Sequence, residues 1–276
     1  MSSFGFLYIR SEAVDYIFTA SDTVGVIQEN IEIDGEILPE RFGGLTTKTR
    51  HLSHARSVIS VGGSGWLSIW LDEFLRSARA IEGFDSLLIS IKHFFVEFYR
   101  SKAMEMTFHD AGSPDFIGLI IISGPSYFED YSINDLRRER ALLMSRKFMV
   151  YRDRVVDCGW INNESESYNG GIMEVCVPRL PVEISDKVAN EAKEIMSEDF
   201  YTGSLFVLKR WLIETNAAYK ESKRQGMVSA GEIHGTILSL KRDDINGETF
   251  IVSNMILHRF EDYEDTLNEI RSYGVK

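Results

Sequence analysis

The sequence predicts an α+β fold arranged as a four-layer αββα sandwich, and three observations predict it. Strand-like runs open the chain. Two pairs of helical segments, one from about 67 to 98 and one from about 185 to 222, are each bracketed by strand-like runs. No repeat, low-complexity tract or Pro/Ser-rich linker divides the 276 residues. With 44% hydrophobic and 26% charged residues the chain lies near the globular average and can bury a substantial core. The reading is therefore one domain, 1–276, carrying an inserted hairpin near 28–47.

The elements follow in order. Phe4-Gly5-Phe6-Leu7-Tyr8-Ile9 and Val14-Asp15-Tyr16-Ile17-Phe18-Thr19-Ala20-Ser21 are β-branched and aromatic runs separated by a polar break, which predicts a hairpin at the start. Val24 to Ile27 continues as a strand, and Asp34-Gly35, flanked by Ile31, Ile33, Ile37 and Leu38, predicts the tip of the inserted hairpin. Thr49 to Leu52 and Ser57 to Val61 form a further strand pair. Leu67, Trp70, Leu71, Phe74 and Leu75, then Leu87, Leu88, Ile91, Phe94, Phe95 and Phe98, recur at helical spacing and give the first helical pair. Strands are expected at 104–108, 116–122, 147–151, 154–158 and 172–177, with a helix at 134–144 whose Arg137-Arg138-Glu139-Arg140 run is its solvated face. Helices at 185–196 and 204–222, strands at 233–240 and 250–257, and a helix at 261–273 complete the chain.

Charge and cysteine usage narrow the function classes. There are 42 acidic against 30 basic residues, a net charge of −12, so a nucleic acid or an anionic membrane meets a repulsive average field. Cys158 and Cys176 are the only cysteines, too few for a disulfide framework and without metal spacing. The first ten residues lack the basic-then-apolar pattern of a signal peptide, and the apolar stretch 116–122 is too short to span a bilayer as a helix. The expectation is a cytoplasmic protein with neither nucleic acid nor membrane as partner. His51 and His54 form an H-x-x-H pair that ligates a metal only if helical, and they fall in a strand or turn. No cofactor and no metal are expected.

The densest local signal is Ser57-Val58-Ile59-Ser60-Val61 followed by Gly62-Gly63-Ser64-Gly65 and a helix. A dinucleotide fingerprint would place its glycines at 63, 65 and 68, but residue 68 is serine, and a helix rather than a parallel strand comes next. No Gly-Lys-Ser/Thr closes the turn as in a P-loop. Two readings remain: a glycine turn that lets a helix pack closely on a strand, or backbone N–H groups at a helix start that stabilise developing negative charge. A small-molecule-binding α/β enzyme built on this turn is a further, weaker reading.

Read with the N-terminal region, the pattern resembles a proteasome β-type subunit of the N-terminal-nucleophile hydrolases. In that family a strand carrying the nucleophile begins the mature chain, a second strand ends in Ala-x-Asp, a lysine opens a later strand, and a Gly-Gly turn precedes the first long helix. Here the matching residues are Ser2 or Ser3, Ala20-Ser21-Asp22-Thr23, Lys48 and Gly62-Gly63. Lys48 stands fourteen residues before Gly62, the family's lysine-to-glycine interval. Near the C-terminus, Val228-Ser229-Ala230-Gly231-Glu232 leads into a strand at Ile233 and is similar to the family's late Ser-Gly-Gly turn.

The resemblance implies a peptidase or amidase with Ser2, exposed by loss of Met1, in the place of the family's usual threonine. The α-amino group, with an ordinary pKa of about 8, would serve as base for the hydroxyl. Lys48 would lower the effective pKa of the nucleophile, Asp22 would hold Lys48 charged and oriented, and the Gly62 N–H would meet the oxyanion. It also implies a peptide or amide substrate and assembly into a homo-oligomer, ring-shaped in the family. The alternative is a non-catalytic proteasome-like subunit or oligomeric scaffold.

Overall fold

The structure is a computed structural model, and it describes residues 4–10, 13–28, 31–33, 36–38, 41–45, 48–63, 65–102, 116–130, 138–151, 154–161, 172–176, 190, 200–222, 231–243, 247–261, 263–265 and 268. Fourteen strands are described: β1 (Phe4–Arg10), β2 (Val14–Asp22), β3 (Val24–Gln28), β4 (Ile31–Ile33), β5 (Glu36–Leu38), β6 (Arg41–Leu45), β7 (Thr49–Leu52), β8 (Ser57–Gly63), β9 (Phe116–Asp130), β10 (Arg138–Tyr151), β11 (Val155–Trp160), β12 (Ile172–Cys176), β13 (Glu232–Asp243) and β14 (Gly247–Arg259). The described long helices are α1 (Gly65–Ser77), α2 (Phe84–Lys102) and α3 (Phe200–Ser222). Among the described residues, none of the helices is long and apolar enough to cross a membrane.

The predicted four-layer αββα sandwich is not the architecture found. The fold is mainly β, with two antiparallel five-stranded sheets packed against each other. The first sheet runs β12-β1-β2-β13-β14 and the second β11-β10-β9-β8-β7. Among the described residues, α1 and α2 lie on one sheet and α3 alone on the other, so matching helical layers are not found. Of the helix expected at 134–144, residues 138–144 are instead the first half of β10, whose Ala141 faces Tyr127 and whose Leu143 faces Pro125 across the ladder with β9; 134–137 lie outside the described residues. Arg138, Glu139 and Arg140, expected on a solvated helix face, open that strand. The run Ala141-Leu142-Leu143-Met144 has no helical period of its own, and a continuous apolar run fits a strand covered on both faces equally well. The expected strand 104–108 lies outside the described residues, and so do the helices 185–196 and 261–273 except for a few residues.

Three apolar cores hold the sheets. Between them, Phe6, Tyr8, Ile17, Leu238 and Leu240 of the first sheet meet Val58, Leu119, Ile121 and Leu143 of the second. This alternation of inward side chains requires period-two patterning, which β1 and β13 supply. On the outer face of the second sheet, Leu67, Leu71 and Phe74 of α1 and Leu87, Leu88 and Ile91 of α2 cover Ile59, Val61, Ile120, Ile122 and Phe148. On the outer face of the first, Leu208 and Leu212 of α3 cover Phe18, Ala20 and Ile237. Each fully buried Phe or Leu contributes about 1.5–3 kcal/mol of transfer free energy.

At one end the sheets are joined by polar bonds. Asp15, fully buried at the start of β2, pairs with Arg242 of β13 and accepts the Leu143 N–H of β10 at 3.0 Å. Glu248 of β14 accepts the Ala141 N–H at 2.9 Å. The candidate site lies at the other end of β2. Strands β4 and β5 pair antiparallel, with Ile33 opposite Glu36; Asp34 and Gly35 lie outside the described residues.

Candidate functional site

Strand β2 ends at Asp22, and its apolar interior explains why a carboxylate can be held there out of water. Phe18 and Ala20 pack beneath α3, while hydrogen-bonded neighbours flank both edges. Ser21 stands opposite Phe4, the first residue of β1, and Asp22 stands opposite Ile233 at the start of β13. The register therefore brings the beginning of β1, the end of β2 and the beginning of β13 to one end of the first sheet. Ser2 and Ser3 lie outside the described residues.

The second sheet meets this end through Lys48. Its backbone carbonyl accepts the Val61 N–H at 2.8 Å, which ties the residue preceding β7 to β8 one position before Gly62. Its side chain turns inward, is 2% exposed, and forms an ion pair and hydrogen bond with the wholly buried Asp22. Burial pushes the Lys48 ammonium below its ordinary range, and the attraction and hydrogen bond of Asp22 offset only part of that loss. A lysine so removed from water is retained where its partner compensates it. Arg50, two residues on, reaches Asp72 of α1 instead, with Nε donating to Oδ1 at 3.1 Å.

Gly62 is buried in β8 opposite Leu119 of β9, and the strand runs on through Gly63 before α1 starts at Gly65. Asp22 and Lys48 thus meet through their side chains, and Lys48 meets Val61, the residue before Gly62, through its backbone. The described pairings of β8, with β7 and β9, are both antiparallel. A dinucleotide unit, which needs a parallel strand after the turn, is not what this turn belongs to.

The sequence reading missed a second polar group beside Asp22. Thr23, buried, accepts the Glu232 N–H on its hydroxyl at 3.0 Å. The Glu232 carboxylate accepts His234 Nε2–H at 2.9 Å and Arg259 through Nε at 2.9 Å and Nη2 at 2.6 Å. Burial alone would raise the Glu232 carboxyl, but the bonds and charges of His234 and Arg259 outweigh it and hold it below its ordinary value. The available signal was the Glu232-x-His234 spacing, which places both side chains on one face of a strand. Of the late turn, Ser229 and Ala230 lie outside the described residues, and Gly231 adopts φ +78°, a left-handed conformation suited to glycine.

The histidine pair does not converge. His51 is exposed on β7, whereas His54 Nε2 bonds the Ala78 carbonyl at 3.0 Å. Among the described residues, no group of three or more His, Cys, Asp or Glu side chains is placed to hold a metal ion. The sequence matches no protein-family model and no curated protein.

Proposed function

We propose that this chain hydrolyses an amide bond, as a peptidase or amidase, with Ser2 as an N-terminal nucleophile. The observation that carries the reading is the Asp22–Lys48 pair: a lysine almost wholly withdrawn from water, beside the end of the sheet where β1 begins. A cation in that place lowers the cost of forming an alkoxide nearby.

In this reading loss of Met1 frees the Ser2 α-amine, which takes the hydroxyl proton as Oγ attacks the substrate carbonyl carbon. The resulting oxyanion is met by backbone N–H groups at the exit of β8, past Gly62, whose own N–H faces β9. Collapse breaks the C–N bond, and the ammonium returns its proton to the leaving amine. The acyl ester is then attacked by water with the same amine as base, releasing the acid and restoring Ser2. Asp22 acts through Lys48, fixing its position and charge. The same reading has the chain working as a homo-oligomer on a peptide or amide substrate.

The competing reading is a non-catalytic oligomeric scaffold. It draws on the Glu232–His234–Arg259 group, which ties this end of the sheet together without Ser2 or Lys48. A panel of fluorogenic peptide amides separates the two. The catalytic reading expects turnover of at least one, abolished in Ser2→Ala and Lys48→Met and kept in Ser3→Ala. Untagged protein that retains Met1, or Ser2→Ala protein that cleaves at the wild-type rate, contradicts it.

A further inference from the structure

A cavity of about 430 Å³ opens between α2 and the β10–β11 edge of the second sheet, and none of the residues assigned above to catalysis lines it. Its apolar part is Leu88 and Ile89 of α2 with Phe148 of β10; its polar part is Lys92 and His93 of α2, Arg146 of β10 and Asp157 of β11. Ile89 is 67% exposed, a large apolar side chain standing uncovered among the described residues at the mouth of a concave surface. The volume lies in the range of small-molecule sites.

The charges of this cavity are ordered and unbalanced. Arg146 donates through Nε to Asp157 Oδ1 at 2.9 Å and through Nη2 to Oδ2 at 2.7 Å, and its guanidinium lies 4.9 Å from the centre of the Trp160 ring. These contacts fix its plane and use two of its three nitrogens, with Nη1 outside the bidentate pair. Lys92 Nζ stands 3.9 Å from Asp157 Oδ2 and is half exposed. Asp157 is held below its ordinary pKa, first by the Arg146 hydrogen bond, so it is anionic at neutral pH. Two cations, one of them held in place, therefore face one carboxylate, a local positive excess on a chain whose net charge is −12.

We propose that this cavity binds a small organic carboxylate with an apolar tail. The tail would lie on Leu88, Ile89 and Phe148. The carboxylate would sit between Lys92 Nζ and the free edge of the Arg146 guanidinium, where it neutralises the excess charge. An inorganic anion would leave the apolar wall wet, and an apolar cation would be repelled; the combination of wall and charge selects the amphipathic acid. This site is independent of amide hydrolysis and stands whether or not Ser2 is a nucleophile.

Titration calorimetry tests it with 4-phenylbutyrate as probe and 4-phenylbutanamide as its uncharged counterpart, on wild type, Lys92→Met and Ile89→Glu. Both substituted positions are exposed or half exposed, and thermal melts confirm folding. The acid is expected to bind wild type. The amide is expected to bind about tenfold more weakly, and Lys92→Met to lose about fivefold. Ile89→Glu is expected to abolish binding by removing apolar contact and adding a like charge. No binding of the acid, equal binding of the amide, or unchanged affinity in both variants overturns the proposal.

Discussion

Lys48 and Asp22 are each costly in their surroundings and tolerable only together. Breaking a buried pair by removing one partner strands the other charge, so Asp22→Ala should cost about 3–5 kcal/mol of unfolding free energy, measured by denaturant titration. The double variant Asp22→Ala/Lys48→Met should recover most of that loss, because no charge is then left buried. A contrasting case is Asp157, whose carboxyl the Arg146 hydrogen bond holds below the ordinary value of 3.8. Its contribution to stability is fully present above that pH and is lost as the pH falls through the lower folded value. Asp157→Asn should therefore flatten the acid limb of the melting temperature between the two values, at a cost of no more than about 1 kcal/mol at neutral pH. An acid limb unchanged by the substitution would show that the pair is not formed in solution.

At the scale of elements, the start of α2 packs tightly on β9 at Gly124. A Cβ at Gly124 would come within 2.6 Å of Phe84 Cδ2 and 3.0 Å of the Arg56 carbonyl oxygen. Backbone cannot yield as a side-chain tip can, so Gly124→Ala should destabilise by about 1–3 kcal/mol. The nearest atoms to a Cβ at Gly235 in β13 all belong to the Leu257 side chain, from 2.8 Å, with no backbone among them, and its alanine variant should cost less; equal losses in paired thermal melts would contradict this.

Strands with clear alternation were legible from the residues: β1, β2 and β13 fall where the period-two pattern put them. What was illegible was the first half of β10; its second half, 147–151, was expected as a strand. Its Ala141-Leu142-Leu143-Met144 run is buried or nearly so throughout, and such a run carries no period to choose between strand and helix. Misreading it as a helix shortened that strand to 147–151; the four-layer architecture itself was inferred from the two helical pairs bracketed by strands. In the candidate site, Asp22 and Lys48 were singled out only through the family resemblance, and their side-chain pair joins residues far apart in the sequence. The Glu232 group was not singled out, since Thr23 and Glu232 are joined only by the pairing of β2 with β13.

At the scale of the whole molecule, the two sheets are joined by polar bonds at both ends of β2, with different consequences. The Asp15–Arg242 pair, bonded also to Leu143 of β10, lies at the end remote from the candidate site. Asp15→Ala should lower stability by about 3–5 kcal/mol, yet leave per-molecule reactivity of the folded protein unchanged. Asp22→Ala should lower both. Loss of reactivity in Asp15→Ala, measured at a temperature where it is folded, would mean that the sheet interface as a whole, and not the Lys48 end, controls the chemistry.

The central claim is that Lys48 and Asp22 serve an N-terminal serine. Its most direct test is the intact mass of the untagged protein before and after exposure to a β-lactone that acylates amide hydrolases, with Ser2→Ala and Lys48→Met alongside. The account predicts a mass lacking Met1 and a single adduct mapping to Ser2, absent in Ser2→Ala and formed far more slowly in Lys48→Met. A retained Met1, or an adduct that persists in Ser2→Ala, would contradict it.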